Sequence, residues 1–174
     1  ADGNTAITFA AAGQIDSGLD AGISPGAGDF SVEAWMKTTQ TGIKVIAGHW
    51  AGGNVTNWWL GISSGKAQCS TRSTSNVVRT RTGTTTVNDG AWHHVVAVRS
   101  GTALVLYVNG TAEGSDPGDP GTISPTTNMI VGDFGTSGGF DWLGSVDEFA
   151  FYLSALSSTR VTAHYDARLA APFN

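Results

Sequence analysis

The sequence predicts an all-β fold in which two antiparallel sheets pack face to face and one short helix follows near the C-terminal end. Three observations lead to this prediction. Charged residues make up only 13% of the chain and glycine occurs 24 times, a composition typical of many short strands joined by tight turns. Several segments alternate apolar and polar residues with the period of two that strands require. Asn109-Gly110, between two β-prone runs, is the strongest short-range hairpin signal.

The first half of the chain predicts short strands separated by glycine-rich loops. Residues 29–37 alternate most clearly, with Phe30 and Met36 on one face and Trp35 on the other, so a half-buried strand is expected. Residues 66–71 and 76–82 predict polar strands near a sheet edge, where Ser, Thr and Arg can face water. The other strands predicted here are residues 5–10, 14–17, 43–49 and 58–62.

The second half predicts a hairpin, two further strands and the helix. Residues 92–99 and 103–108 form the hairpin, and the second of these strands is apolar on both faces, which indicates a strand covered on both sides. Residues 115–125 hold three prolines and cannot form a regular strand. Strands are predicted again at residues 128–132 and 142–152. Residues 157–169 combine a serine N-cap with apolar residues four apart, which predicts the helix.

Composition and charge exclude several classes of function. The net charge is −5 and no run of basic residues occurs, so nucleic acid is not an expected partner. No apolar stretch has the length of a membrane span. Cys69 is the single cysteine, which rules out an intrachain disulfide and predicts a small apolar side chain in a strand. The length predicts one domain over residues 1–174.

Four motifs in a fixed order resemble the signatures of laminin-G-like domains, which belong to the concanavalin A-like lectin and glucanase jelly rolls. They lie at residues 29–37, 89–95, 106–110 and 144–152, and the resemblance covers residues 5–166. It implies a two-sheet jelly-roll sandwich with ligands on the concave face or at the loop rim. This fold carries lectins, adhesion modules, glycosidases and virion proteins, so the resemblance does not specify a function by itself.

Asp147 is the candidate metal ligand. In an extended strand it shares a face with Phe149 and Phe151, and a carboxylate on an apolar face needs a hydrogen-bonding, cationic or metal partner. The resemblance implies that Asp147 matches the position that often supplies a carboxylate to a structural Ca²⁺ ion. Family members often carry Asp-Gly after the first strand, where this chain has alanines after Phe9. A carboxylate that accepts backbone N–H bonds is the equal alternative.

Aromatic residues around the loop at residues 51–57 suggest a place for a sugar. Trp50, Asn54 and Trp58 form the candidate ligand-binding platform, because an exposed ring and an amide suit the apolar face and the hydroxyls of a sugar. Trp58 and Trp59 are adjacent in a predicted strand, so their side chains point to opposite faces and one of them can be exposed. Trp35, Trp92 and Trp142 are predicted to pack in the core.

The pattern of acidic residues excludes catalysis of the glucanase type. A glycosidase places two carboxylates across the scissile bond, and the resemblance implies a Glu-x-Asp-x-x-Glu strand that this chain lacks. The sequence therefore predicts a non-enzymatic recognition module, binding glycans or acting in adhesion, outside the cell or on a particle surface. The alternative is a decoration or capsid-surface protein of a phage virion or surface layer, whose partners are neighbouring subunits or further copies of the chain. A glycoside hydrolase is the third and least favoured hypothesis.

Overall fold

A computed structural model describes residues 5–18, 23–49, 57–134 and 139–167. These residues form two sheets of six strands each, followed by one helix. The strands are β1 (Ile7–Phe9), β2 (Ile15–Asp16), β3 (Phe30–Lys37), β4 (Lys44–Gly48), β5 (Asn57–Ser63), β6 (Lys66–Arg72), β7 (Val78–Thr86), β8 (His93–Ser100), β9 (Ala103–Val108), β10 (Thr111–Asp116), β11 (Ile130–Val131) and β12 (Gly144–Tyr152), and the helix is α1 (Ser158–Asp166). The predicted all-β sandwich with one C-terminal helix is confirmed.

Both sheets are antiparallel. The first sheet has the order β1-β12-β3-β8-β9-β10 and the second has the order β2-β11-β4-β5-β6-β7. β6 lies next to β7, which is an edge strand, so the prediction that the two polar strands lie near an edge is confirmed. The hairpin of β9 and β10 turns at Asn109-Gly110, where both residues have positive φ, at 50° and 78°. A two-residue turn of this kind matches the twist of the strands that it joins.

The main core lies between the two sheets. Alternate residues of each strand point inward, and aromatic rings meet across the interface: Trp58 of the second sheet stacks on Phe151 of the first, with 5.1 Å between ring centroids. Phe30 also stacks on Phe151, at 5.8 Å, and lies 6.3 Å from Trp58, so the three rings form one group. Because these rings bury a large apolar area, they hold the two sheets in one relative position.

The helix covers the outer face of the first sheet. Ser157 caps its first turn by accepting the backbone N–H of Arg160, as the sequence predicted. Val161 is fully buried against Val96 and Val98 in a second, smaller apolar cluster. As a result β3 is buried on both faces except at Lys37, and the expectation of a half-buried strand is wrong. The described residues contain no helix that is long and apolar enough to cross a membrane.

Candidate functional site

The outer face of the second sheet meets solvent across β5, β6 and β7. Trp59, Ser70 and Thr80 are direct cross-strand partners, so their side chains form one row on this face. Gln68 and Thr82 form the next row. We call this surface the open face and define it by its outward residues. They are Trp59, Gln68, Ser70, Arg72, Thr80 and Thr82. Thr80 and Thr82 are exposed, Trp59, Gln68 and Arg72 are half-buried, and Ser70 is buried.

Trp59 is the aromatic residue of the open face, and its position is fixed by its neighbours. Its ring meets the ring of Phe134 edge to face, with 5.8 Å between centroids. On the next strand Gly48 is its direct partner, and a Cβ at Gly48 would lie only 2.6 Å from the Trp59 Cβ. Only glycine at position 48 therefore lets Trp59 lie this close to β4. The ring is held in place while part of it still reaches solvent.

Side-chain hydrogen bonds order the polar groups of the open face. Ser70 Oγ and Thr80 Oγ1 lie 2.9 Å apart, and Gln68 Nε2 donates to Thr82 Oγ1 at 2.6 Å. Each hydroxyl retains further hydrogen-bonding capacity, because a hydroxyl can donate one bond and accept two. The face thus presents one aromatic surface beside hydroxyl and amide groups that are already ordered, and a ligand would not have to order them on binding.

Of the predicted ligand platform the structure describes only Trp58, and Trp58 does not lie on this surface. Trp58 is 1% exposed and its ring packs in the main core, so the prediction that Trp58 contributes an exposed ring is wrong. The reason is strand alternation, which turns Trp58 inward and its neighbour Trp59 outward. Trp50 and Asn54 lie outside the described residues. Sequence alternation indicated that one member of the pair is exposed, but only the sheet pairing shows that it is Trp59.

Asp147 lies on the opposite side of β12 from the phenylalanines. The register pairs Val146 with Met36 and Phe151 with Val32, all core residues, and a bulge between Asp147 and Ala150 adds an extra residue between them. Asp147 therefore faces outward with its partner Trp35. The expectation that Asp147 shares a face with Phe149 and Phe151 is wrong, because strict alternation ends at Glu148, whose φ is 48°.

The contacts of Asp147 leave the calcium prediction untested. One oxygen of its carboxylate accepts the backbone N–H of Glu148 at 2.9 Å. In the described part of the chain no three His, Cys, Asp or Glu side chains converge in a way that could hold a metal ion, but Ca²⁺ also takes backbone carbonyl oxygens as ligands. The structural Ca²⁺ ion implied by the resemblance stays a prediction, which thermal unfolding with added Ca²⁺ and with a chelator would test.

A buried polar cluster lies on the other side of the molecule, under α1. Glu33 is 5% exposed and its carboxylate contacts three groups from three elements. Tyr152 donates to it at 2.7 Å, His164 Nδ1 lies 3.0 Å from both oxygens, and His94 Nε2 lies 3.3 Å from Oε2. Burial alone would raise the pKa of Glu33, but these hydrogen bonds lower it to about 2. Burial and the bond to Glu33 raise the pKa of Tyr152 to about 12.

This cluster attaches the helix to the sheet. His164 belongs to α1, whereas Glu33, His94 and Tyr152 belong to β3, β8 and β12. Sequence analysis did not find the cluster, because its four members are far apart in the chain. A carboxylate with a pKa of about 2 is ionised at neutral pH and is no general acid there. Its geometry supports a structural role, which is to hold the helix in place.

A cleft lies at the ends of β1, β3 and β12. This cleft of about 410 Å³ has Phe9 and Leu143 as apolar walls and Lys37 as its charged residue. Its polar side chains are engaged in the fold: the Gln40 amide donates to the Asp141 carbonyl at 3.0 Å and accepts the backbone N–H of Leu143 at 2.6 Å. The Gln40 amide thus uses both its nitrogen and its oxygen inside the protein.

Comparison with known proteins agrees with this architecture. A family model of the laminin-G type, described as the concanavalin A-like lectin/glucanases superfamily, matches residues 4–162. The chain belongs to this superfamily. The resemblance stated from the four sequence motifs is thereby confirmed. No curated protein matches the chain in a sequence comparison.

Three solved structures show how widely the fold is used. The CBM40 domain of a Ruminococcus gnavus IT-sialidase, in complex with α2,3-sialyllactose, superimposes with a TM-score of 0.77 at 16% identity over 92% of this chain and 96% of that chain. A native heptameric SAP-like pentraxin from Limulus polyphemus has a TM-score of 0.62 at 17% identity, with coverages of 86% and 79%. The binding domain of Paraclostridial mosquitocidal protein 1 has a TM-score of 0.69 at 13% identity over 95% of this chain.

The chain spans 46% of that mosquitocidal binding domain, so the likeness concerns a part of it. At identities this low the three likenesses show the shared fold. One of the three structures is solved with a bound sugar and another is described as a binding domain.

Proposed function

We propose that this protein is a non-catalytic glycan-binding module that acts outside the cell or on the surface of a particle, and that the glycan binds on the open face. The observation that carries the proposal is the row Trp59, Ser70 and Thr80, which places a half-buried indole near the exposed Thr80 hydroxyl, with the buried Ser70 hydroxyl bonded to Thr80 between the two strands. A sugar ring has an apolar face of C–H groups and a rim of hydroxyls. An aromatic surface flanked by hydrogen-bonding groups complements both.

The composition of the three strands supports binding without hydrolysis. Asn57–Ser63, Lys66–Arg72 and Val78–Thr86 contain no aspartate or glutamate. Hydrolysis of a glycoside needs one carboxylic acid to protonate the leaving group and a second carboxylate as base or nucleophile. A glycan lying on Trp59 would meet neither on the strands beneath it. A glycosidase would need carboxylates from another part of the chain.

Similarity to solved structures also supports a glycan-binding function. CBM40 is a sugar-binding domain of the same fold, solved with sialyllactose, and this chain covers almost all of it. The heptameric pentraxin supports the further proposal that several copies of this chain assemble and bind a ligand together. Linked copies gain avidity without new contacts at each site. The assembly hypothesis, in which neighbouring subunits are the partners, stays a prediction that the size of the protein in solution would test.

The experiment is a glycan-array screen followed by titration calorimetry with the best ligand. Trp59→Ala should abolish detectable binding, and Thr80→Val should weaken it about fivefold, since a hydrogen bond lost at a ligand contributes roughly 1 kcal/mol. Thr111→Val is the matched control, because Thr111 is an exposed strand residue on the other sheet. Each variant is first checked by thermal unfolding. A screen with no bound glycan, or a Trp59 variant that binds like the parent, would refute the proposal.

A further inference from the structure

Three hydrogen-bonded pairs of side chains join β6 to β7 on the outer side of the second sheet. Every second residue of β6 faces outward, because the residues between them, Ala67 and Cys69, lie in the main core. Each outward residue bonds to the threonine opposite it on β7. These pairs, which we call the first, second and third rung, are Ser70 with Thr80 at 2.9 Å, Gln68 with Thr82 at 2.6 Å and Lys66 with Thr86 at 2.8 Å. The third rung continues the open face by one row.

The third rung lies beyond a bulge in β7. Between the second and third rungs β6 advances by two residues, whereas β7 advances by four, from Thr82 to Thr86. The Glu113 carboxylate of β10 fixes this bulge, since one of its oxygens accepts the backbone N–H groups of Thr84 and Thr85 at 2.7 and 3.0 Å. Gly83 leaves room for the carboxylate, because a Cβ there would lie 2.5 Å from Glu113 Oε2. Glu113 thereby sets the position of Thr86.

The rungs are evenly spaced and form a diagonal with Trp59. Successive outward residues of β6 are two positions apart, which corresponds to about 7 Å along the strand. Trp59 of β5 is the direct partner of Ser70 in the first rung, and Thr86 of the third rung lies two strands away. With about 4.8 Å between neighbouring strands, the diagonal from Trp59 past the second rung to Thr86 is about 17 Å long. A disaccharide on Trp59 is too short to reach Thr86, whereas a tetrasaccharide is long enough.

The second and third rungs can donate hydrogen bonds to a ligand. Gln68 Nε2 and Lys66 Nζ donate to the threonines of their rungs, so Thr82 and Thr86 act as acceptors inside the protein. A hydroxyl also has one hydrogen to donate. Among the described residues neither of these two hydroxyls donates to another protein group, and both threonines are exposed. Each can therefore donate to a sugar oxygen from a position that is fixed before binding.

We infer that the open face binds a linear polysaccharide in extended form along this diagonal, and that the second and third rungs are subsites for sugar units beyond the one stacked on Trp59. The inference rests on the proposed function and names its ligand class, an extended polymer instead of a short terminal glycan. Thr82 and Thr86 donate to oxygen atoms of successive units. Glu113 is a positioning residue, because it acts on the ligand only through Thr86.

The test is titration calorimetry of the full chain with three series of linear oligosaccharides: cello-, laminari- and xylo-oligosaccharides, each from the disaccharide to the hexasaccharide. For at least one series we expect the affinity to rise about tenfold or more with length, since each added hydrogen bond contributes roughly fivefold in affinity. The rise should end once the chain spans the diagonal, at the tetrasaccharide or pentasaccharide.

Substitutions locate the subsites by comparing short and long ligands. Thr86→Val should weaken hexasaccharide binding about fivefold and leave disaccharide binding unchanged, whereas Trp59→Ala should abolish detectable binding of both. Thr111→Val, an exposed threonine of the first sheet, is the matched control and should change neither. Thermal unfolding of every variant verifies that it is folded.

Glu113→Gln tests the positioning role. The amide keeps the size of the side chain but accepts backbone N–H groups less strongly than a carboxylate does. We expect weaker hexasaccharide binding with unchanged disaccharide binding. A variant that unfolds at a lower temperature yet binds both lengths like the parent would refute the role of Glu113.

The outcomes separate this inference from the proposed function. Equal affinity for disaccharide and hexasaccharide, with dependence on Trp59, would overturn the subsites and leave glycan binding intact. The same conclusion follows if none of the three series binds while a short terminal glycan binds on the array in a manner that depends on Trp59. A rise with length that persists in Thr86→Val would also overturn the inference, because the longer chain would then lie elsewhere. Absence of binding to every glycan would remove both.

Discussion

The outer face of the first sheet lies beneath α1, whereas the outer face of the second sheet meets solvent. Both faces carry polar and aromatic side chains at alternate strand positions. Under the helix, Glu33 and Trp35 are each 5% exposed, and their polar and aromatic groups are used inside the protein. On the open face, Thr80 and Thr82 are exposed and Trp59 is half-buried. Outward-facing polar and aromatic residues therefore stabilise the protein beneath α1, whereas on the open face they form a candidate binding surface.

The two faces also differ in charge. The covered face holds an ionised carboxylate that is bound by a phenol and two imidazoles. The three strands of the open face contain lysine and arginine and no carboxylate. A buried charge must be paired to be tolerated, whereas water solvates the charge of a side chain that is partly exposed. The predictions below compare equivalent changes on the two faces.

The largest difference is expected between two tryptophans. Trp35 stacks on Tyr165 of α1 at 5.7 Å, so Trp35→Ala should lower the free energy of unfolding by about 3–5 kcal/mol. Trp59→Ala should cost less than half as much, because part of its ring already faces water. Chemical denaturation of both variants measures the difference. Equal losses of stability would mean that Trp59 is a packing residue, and would argue against its role in binding.

Removal of the buried carboxylate should have the next largest effect. Glu33→Ala leaves His94, Tyr152 and His164 without their shared acceptor, so we expect a loss of about 3 kcal/mol in the free energy of unfolding. Thr80→Val on the open face is the comparison and should stay within about 0.5 kcal/mol of the parent. Urea denaturation gives both values. A loss below about 1 kcal/mol for Glu33→Ala would show that the cluster does not secure the helix.

The apolar contact of the helix should contribute a smaller amount. Val161→Ala removes a fully buried side chain from the cluster with Val96 and Val98, and we expect a loss of about 2 kcal/mol. Thr159→Ala, at an exposed position of the same helix, controls for changes in helix propensity. The midpoint of thermal unfolding, measured for both variants, would show the difference in stability. Equal midpoints for the two variants would contradict the packing seen at Val161.

The smallest effect is a pH dependence specific to the covered face. The pKa of Glu33 is lowered to about 2 in the folded protein, below the ordinary value of about 4.3. The unfolded chain therefore binds more protons between these values, and stability falls as pH falls through this window. Glu33 should account for roughly 1–1.5 kcal/mol of the loss between about pH 4.5 and pH 3.

Comparison with Glu33→Gln isolates this contribution. The variant cannot titrate at position 33, while every other carboxylate remains, so its stability should depend less steeply on pH over that range. Denaturation curves at several pH values supply the two slopes. Parallel slopes would mean that Glu33 has an ordinary pKa in the folded protein.

Local signals in the sequence predicted most of the elements, and the reason is that each signal acts within a few residues. Asn109-Gly110 encodes its own turn, Ser157 caps the helix that follows it, and alternation in β3 separates Phe30 from Trp35. The order of the four sequence motifs also predicted the family, and the match to the family model confirms that prediction. The bulge at Glu148 was missed, and one extra residue was enough to reverse the predicted face of Asp147.

What the sequence determined by itself is most of the strands, the turns between them and the absence of acidic residues from β5, β6 and β7, because these depend on local chemistry. The strand β10 was not predicted, since it runs into the proline-rich segment. Only the tertiary structure decided which faces are buried. Alternation shows that Trp58 and Trp59 point to opposite sides, but the packing of the second sheet against the first selects which of them is buried. The docking of α1 covers Glu33 and leaves the other outer face to solvent. Which faces are buried depends on contacts between residues that are far apart in the chain, and the local sequence pattern does not specify those contacts.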